Sequence, residues 1–284
     1  MIKNVNLSAF ADEYSSDIER QLSMLEKHGV RYFEPRFIGT KNVSELDKAE
    51  AKELARKLAH YGIGVSAIGS PLGKIRLSDD FNQHTERAKR IFETANILGA
   101  SRVRVFSFYM RDGQTRSDAR GEVLERLDEM ITLAEAYGIT LCHENESGIY
   151  GESPEHCADI LSYFGGRLRA VFDMGNFVLG GYSPYPDAYG KLLPYIEYFH
   201  IKDAIGQGAI VPPGLGEARI SDILTAFSEH SATPFFVTLE PHLETFSGLN
   251  RLTESKFNNP YKFESPETAF LEALSRIKKM IGES

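Results

Sequence analysis

Ala136-Tyr137-Gly138-Ile139-Thr140-Leu141-Cys142-His143-Glu144-Asn145-Glu146 decides how this chain is read. A helix-period segment runs into a glycine, which suits the left-handed turn that closes a helix. A β-branched residue then opens a short apolar strand. The strand runs out into carboxylates and an amide rather than into a turn. Alternation puts Thr140, Cys142 and Glu144 on one face and Leu141 and His143 on the other.

The same helix–glycine–strand join recurs at Lys27-His28-Gly29-Val30, His60-Tyr61-Gly62-Ile63 and Leu98-Gly99-Ala100. Working outward from these joins, strands are expected near 3–9, 30–35, 63–69, 102–107, 139–144, 168–173, 197–202 and 235–240. Helices are expected near 16–28, 45–61, 80–98, 117–137, 153–164, 186–194, 219–230 and 266–281. Ser153-Pro154-Glu155 reads as an N-cap followed by proline at the first helical position. Short apolar strands alternating with charged helices imply a parallel sheet with helical crossovers. Eight such units in 284 residues have the size and rhythm of an α/β fold of the (β/α)8 TIM barrel type. No Pro/Gly/Ser-rich linker divides the chain, so residues 1–284 are expected to form one domain. An open doubly wound sheet would favour a glycine-rich turn after the first strand, and Ala9-Phe10-Ala11-Asp12-Glu13 is not one. Residues 241–265 show little periodicity. They read either as a loop over the C-terminal mouth or as a surface excursion.

Composition narrows the function classes. The net charge of -8 and pI near 5.6 argue against a phosphate-backbone partner, since nucleic-acid affinity rests on lysine and arginine. Two cysteines, Cys142 and Cys157, are spaced neither as a zinc pair nor as a disulfide framework, and fit a reducing cytoplasm. Met1–Leu7 enters a strand-like run directly, without the pattern of a secretory signal. No stretch reaches the ~20 apolar residues of a membrane span.

In a TIM barrel the polar residues at the C-terminal strand ends build the active site. Strand five ends in Glu144, strand six in Asp173, strand seven carries His200, and strand eight ends in Glu240. Parity aims each into the mouth: Tyr198, His200 and Lys202 share a face, as do Phe236, Thr238 and Glu240, and Val171 pairs with Asp173. Three carboxylates and an imidazole converging without a cation would repel one another. One divalent metal is therefore expected on Glu144, Asp173, His200 and Glu240. Oxygen-rich ligation favours Mn²⁺ or Mg²⁺, with Zn²⁺ or Co²⁺ as alternatives. The competing reading makes them unrelated polar residues that cap neighbouring loops.

With these residues in view, the chain resembles the sugar phosphate isomerase/epimerase family, the xylose isomerase-like TIM barrels. The motifs that carry the resemblance are Glu144-Asn145, Asp173-Met174-Gly175-Asn176, His200-Ile201-Lys202-Asp203 and Glu240. It implies that the four matching positions hold the metal. It also implies that Glu144 and Glu240 act on opposite faces of a sugar, one removing a proton next to a carbonyl and the other returning it. Many relatives have histidine where this chain has Asn176, which can hydrogen-bond a hydroxyl but cannot share a proton near neutral pH. Pro212-Pro213-Gly214-Leu215-Gly216-Glu217 resembles the family's Gly-x-Gly loop and is a weak phosphate signal.

Further substrate contacts are expected from Lys202, Asn176, Glu34, Lys74 and Glu146. Lys202 has a structural alternative, an ion pair with Asp203 or Glu240. Glu34 has one with Arg36 or Arg104, Lys74 can simply close a turn, and Glu146 is an alternate for Glu144. Asp12 and Glu13 read as N-cap residues. His28, His60, His84 and His230 read as surface residues, and His242 as a residue that can face the pocket. The expected function is a metal-dependent isomerase or epimerase of a sugar, keto-sugar or sugar phosphate, with a small-molecule sugar as its partner. A homo-oligomer is compatible with the family. The alternatives are a sugar or inosose dehydratase on the same site, an apurinic endonuclease-like hydrolase and a non-catalytic sugar-binding barrel.

Overall fold

Alternating side chains on eight short parallel strands give each strand an inner and an outer face, and the chain uses both. A computed structural model describes residues 2–206, 208–244 and 259–283. The strands are β1 (Val5–Ala9), β2 (Tyr32–Phe33), β3 (Ile68–Leu72), β4 (Arg102–Val105), β5 (Thr140–Glu144), β6 (Leu168–Asp173), β7 (Ile196–Ile201) and β8 (Phe235–Leu239). Neighbours from β3 round to β8 pair in parallel, and β8 pairs with β1. The ring closes through β2. Glu34 N donates to Ala9 O at 3.1 Å, Ser66 N to Phe33 O at 3.1 Å and Gly69 N to Pro35 O at 3.0 Å. The described residues thus form the expected barrel.

The regular part of β2 is shorter than expected because Pro35 has no N–H for the ladder. The third strand is interrupted. Gly64–Val65 pairs with β2, and β3 resumes at Ile68.

The helices are α1 (Ile18–Lys27), α2 (Lys48–Tyr61), α3 (Phe81–Leu98), α4 (Arg116–Ala136), α5 (Pro154–Phe164), α6 (Met174–Leu179), α7 (Tyr189–Leu192), α8 (Ile220–His230) and α9 (Pro266–Ile281). Their starts follow local chemistry. Asp17, Asp47, Asp80, Thr115, Ser153 and Ser265 each accept a first-turn N–H. The helix expected over 186–194 is broken into short turns by Pro184, Pro186 and Pro194. The sequence reading also missed α6 and two antiparallel hairpins, Phe37–Ile38 with Lys41–Asn42 and Asp203–Ile205 with Ala209–Val211.

The outer strand faces, among them Leu141, Phe172, Phe199, Ile201, Val237 and Leu239, pack against the helices as one apolar cluster. The barrel interior is filled in layers. Near the N-terminal end Arg102 and Arg169 pair with Glu197. Above them lie Ala67, Cys142, Val171 and Tyr198, with Ser8 and Ser66 joined at 2.7 Å. The top layer is ionic. Among the described residues no helix is long and apolar enough to cross a membrane.

A candidate metal centre at the mouth of the barrel

Each expected ligand reaches the mouth because its strand parity puts it there. Glu144, Asp173, His200 and Glu240 are all buried, and each offers an atom within 4.8 Å of the others. Glu240 continues the β8 ladder, its N–H donating to Ile201 O at 3.1 Å. Asp173 ends β6 and caps α6, Oδ1 accepting from Asn176 N at 2.8 Å. The Asn145 side chain clamps the Asp173 backbone, donating to its carbonyl at 2.9 Å and accepting from its N–H at 3.0 Å. His200 presents Nδ1 to Glu144 Oε1 at 2.8 Å and to Glu240 Oε2 at 3.4 Å. Its Nε2 faces both oxygens of Glu34 at 3.3 Å.

Glu34 therefore lies beneath the imidazole. It also accepts from Tyr198 Oη at 3.0 Å and Thr238 Oγ1 at 2.7 Å. Carboxylates in this position fix the ring and tautomer of a ligating histidine. The suggested partnership of Glu34 with Arg36 or Arg104 gives way to these contacts. Arg104 Nη1 donates to Glu144 Oε2 at 3.1 Å. Arg36 Nη1 donates to Glu240 Oε1 at 2.7 Å, while Nε and Nη2 reach Asp12 at 2.9 Å and Glu13 at 3.1 Å. Asp12 and Glu13 are therefore buried ion-pair partners and not helix caps.

Charge decides what the centre fits. Six buried carboxyls, of Asp12, Glu13, Glu34, Glu144, Asp173 and Glu240, face three permanent cations, Arg36, Arg104 and Lys202, and the His200 imidazole, which against burial is held well above its usual range by Glu144 and Glu34. Burial pushes the Asp173 carboxyl up to about 7, against the pull of the Lys202 ammonium. Burial likewise pushes Glu13 up to about 8 despite Arg36. Burial also opposes ionisation of Glu144, but His200 and Arg104 outweigh it and hold that carboxyl down at about 2. Glu240 is held well below the carboxylate range because Lys202 and His242 overcome burial. Too many carboxyls for the cations present, with three acidic oxygens and one imidazole nitrogen convergent, is a donor set that fits a divalent ion.

The other expected contacts fall into two groups. Lys202 Nζ lies 3.0 Å from Asp173 Oδ2, 3.1 Å from Asn176 Oδ1 and 3.4 Å from Glu240 Oε2. Of its two suggested structural partners, Glu240 is taken up and Asp203 is not. Asp203 faces the Gly-x-Gly loop, where its carboxylate accepts N–H groups of Gly214 at 2.7 Å and of Gly216 and Ala218 at 3.0 Å. That loop's anion cradle is filled by its own aspartate. Lys74 and Glu146 pair with each other at 2.8 Å nearer the rim, with Lys74 over the Phe106 ring. Glu144, not Glu146, joins the ligand cluster.

His242 does face the mouth, Nε2 lying 3.4 Å from Glu240 Oε1 and 3.3 Å from Glu13 Oε1. His84 is a correction. It is buried, and its Nε2 accepts the Gly73 N–H at 2.9 Å. Of the aperiodic stretch 241–265, read as a loop over the mouth or a surface excursion, residues 245–258 lie outside the described residues. The positive charges on Arg36 and Arg104 were the main omission from the expected site. The visible signal for Arg104 was its inward parity: Arg102 and Arg104 alternate with Val103 and Val105 along one strand, so both arginines share the interior face.

The chain matches the family described as xylose isomerase-like TIM barrel over residues 22–280. No curated protein matches it. Similar solved structures include the IolI protein with a binding zinc atom, at TM-score 0.75 and 19% identity over 98% of each chain. The probable 3-DHS dehydratase AsbF from Bacillus anthracis superposes at TM-score 0.71 and 15% identity, over 97% of this chain and 98% of its own. D-Psicose 3-epimerase with D-tagatose from Clostridium cellulolyticum H10 superposes at TM-score 0.70 and 14% identity, over 98% of this chain and 100% of its own.

Proposed function

We propose that this chain, which belongs to the xylose isomerase-like TIM barrel family, is a metal-dependent isomerase or epimerase that moves a proton next to the carbonyl of a sugar or keto-sugar. The observation that carries the reading is the buried convergence of Glu144, Asp173, His200 and Glu240. These four residues would hold one divalent ion, with Mn²⁺ or Mg²⁺ expected before Zn²⁺ or Co²⁺. When bound, the ion supplies positive charge to the carbonyl and neighbouring hydroxyl oxygens of the substrate, where negative charge develops as the proton leaves.

Glu144 and Glu240 are the base and the acid. Both carboxyls are held ionised in their buried setting, so either can take the first proton, and the other must itself gain a proton from solvent before it returns one to the opposite face. A guanidinium grips one oxygen of each, Arg104 on Glu144 Oε2 and Arg36 on Glu240 Oε1. That grip fixes the direction in which each carboxylate presents itself to the substrate. Lys202 and Asn176 offer an ammonium and an amide to a substrate hydroxyl, carboxylate or phosphate. Lys74 and Glu146 offer the same kind of contact from nearer the rim. Glu34 acts through His200.

A dehydratase that starts with the same proton abstraction is the second reading, favoured by the likeness to AsbF. Solvent exchange followed by product analysis tests both. The Mn²⁺-loaded protein in D₂O should place deuterium next to the carbonyl of an accepted ketose, and Glu240→Gln or Glu144→Gln should lower the rate by at least about 10²-fold. Exchange that survives either change contradicts the two-glutamate mechanism. Loss of water from the substrate selects the dehydratase.

A further inference from the structure

A second group of potential ligands shares Glu240 with the first. Glu13, Glu240 and His242 are buried and offer atoms within 4.8 Å of one another. By donor chemistry they could hold a second ion, but a guanidinium is seated there. Arg36 lies 3.1 Å from Glu13 Oε1, 2.7 Å from Glu240 Oε1 and 3.5 Å from His242 Nε2, so one cation touches all three members.

The seat is built for that cation. Arg36 is fully buried, with its guanidinium 4.2 Å from the centre of the Phe10 ring. Gly69 leaves the room, since a Cβ there would come within 2.4 Å of Phe10 Cε1 and 3.3 Å of Arg36 Cβ. His242 holds the left-handed backbone angle φ 47°, and its N–H donates to Glu13 Oε2 at 2.7 Å. A non-glycine residue kept in that region is a local cost accepted to aim a side chain.

We propose that Arg36 is a fixed stand-in for a second metal ion and that it sets the occupancy of the centre at one ion per chain. The proposal rests on the reading that Glu144, Asp173, His200 and Glu240 take a divalent ion. Arg36 is a positioning residue: it donates to both Glu13 and Glu240 and keeps Glu240 Oε1 engaged, so a second ion meets an occupied seat. With the guanidinium gone, the same three side chains become a vacant ligand set beside the first ion, sharing Glu240 with it.

The test is Mn²⁺ stoichiometry by elemental analysis after equilibration and desalting, with electron paramagnetic resonance on the same samples. Wild type is expected to hold one ion with the spectrum of isolated Mn²⁺. Arg36→Met is expected to hold two, with a spin-coupled signal, and Arg36→Met combined with His242→Ala to return to one. Arg36→Lys, which keeps a cation in the seat, is expected to stay at one. A single ion in folded Arg36→Met, or two in Arg36→Lys, overturns the proposal while leaving the four-residue centre intact. A coupled pair in wild type overturns it even if Arg36→Met does not fold. No uptake by wild type overturns the four-residue centre and this proposal together.

Discussion

Glu34 is tied to the metal-ligand cluster through one buried histidine. It holds His200 through Nε2, so Nδ1 is the nitrogen turned toward Glu144 and Glu240. Glu34→Gln should therefore weaken metal affinity by roughly 10–100-fold while leaving the stoichiometry unchanged, as measured by competition with a chelator. An unchanged affinity would make Glu34 merely a packing partner.

His84 carries a second prediction, about pH. Burial pushes its imidazole down to about 4, and it is neutral as it accepts the Gly73 N–H. The unfolded chain takes up that proton near the ordinary value of about 6.5. Between those values the unfolded state binds more protons, so stability is full above about 6.5 and falls as pH drops toward 4. The contribution is roughly 3 kcal/mol from the size of the shift. Denaturant midpoints at stepped pH should show a shallower acid loss in His84→Gln than in wild type. The four strand-end ligands were legible because strand parity is local. Arg36, Asp12, Glu13 and His84 were not, since each meets its partner through contacts that sequence spacing does not encode.

Elements were legible where periodicity was clean. α9 runs over the expected residues, and α3, α5 and α8 begin within one residue of expectation and end where expected. Prolines blurred the second strand and the seventh helix, and short hairpins offered too few residues to show a period. The glycines of the motifs have a packing reason that the sequence did not reveal. A Cβ on Gly175 would fall 2.7 Å from both Lys202 Cβ and Lys202 O, so α6 can lie this close to the end of β7 only with glycine there. Gly175→Ala should cost about 1–3 kcal/mol by overpacking, read as a lowered unfolding midpoint. It should also weaken metal binding, because Lys202 and Asp173 sit on the two elements forced apart. A variant as stable as wild type would show that this contact is slack.

At the scale of the whole molecule, the apolar layer between strands and helices supplies the stability and the ionic layer at the mouth draws on it. Buried carboxyls that outnumber their cations destabilise the metal-free fold. An ion that binds only the folded state should reverse this by about 2.7 kcal/mol at a concentration of a hundred times Kd. For a chain of 284 residues that is a rise of about 4 °C in Tm, absent in Asp173→Ala. The barrel itself was readable from the eightfold alternation, because that rhythm is a property of the whole chain. The balance of buried charge was not, because it depends on which residues the closed barrel brings face to face.

Calorimetric titration of the metal-free protein with Mn²⁺, wild type against Asp173→Ala, is decisive for the four-residue centre. One ion per wild-type chain is expected, and no binding in that range by a folded Asp173→Ala. Wild type that folds fully and takes up no divalent ion, or Asp173→Ala that binds as wild type does, would contradict that expectation.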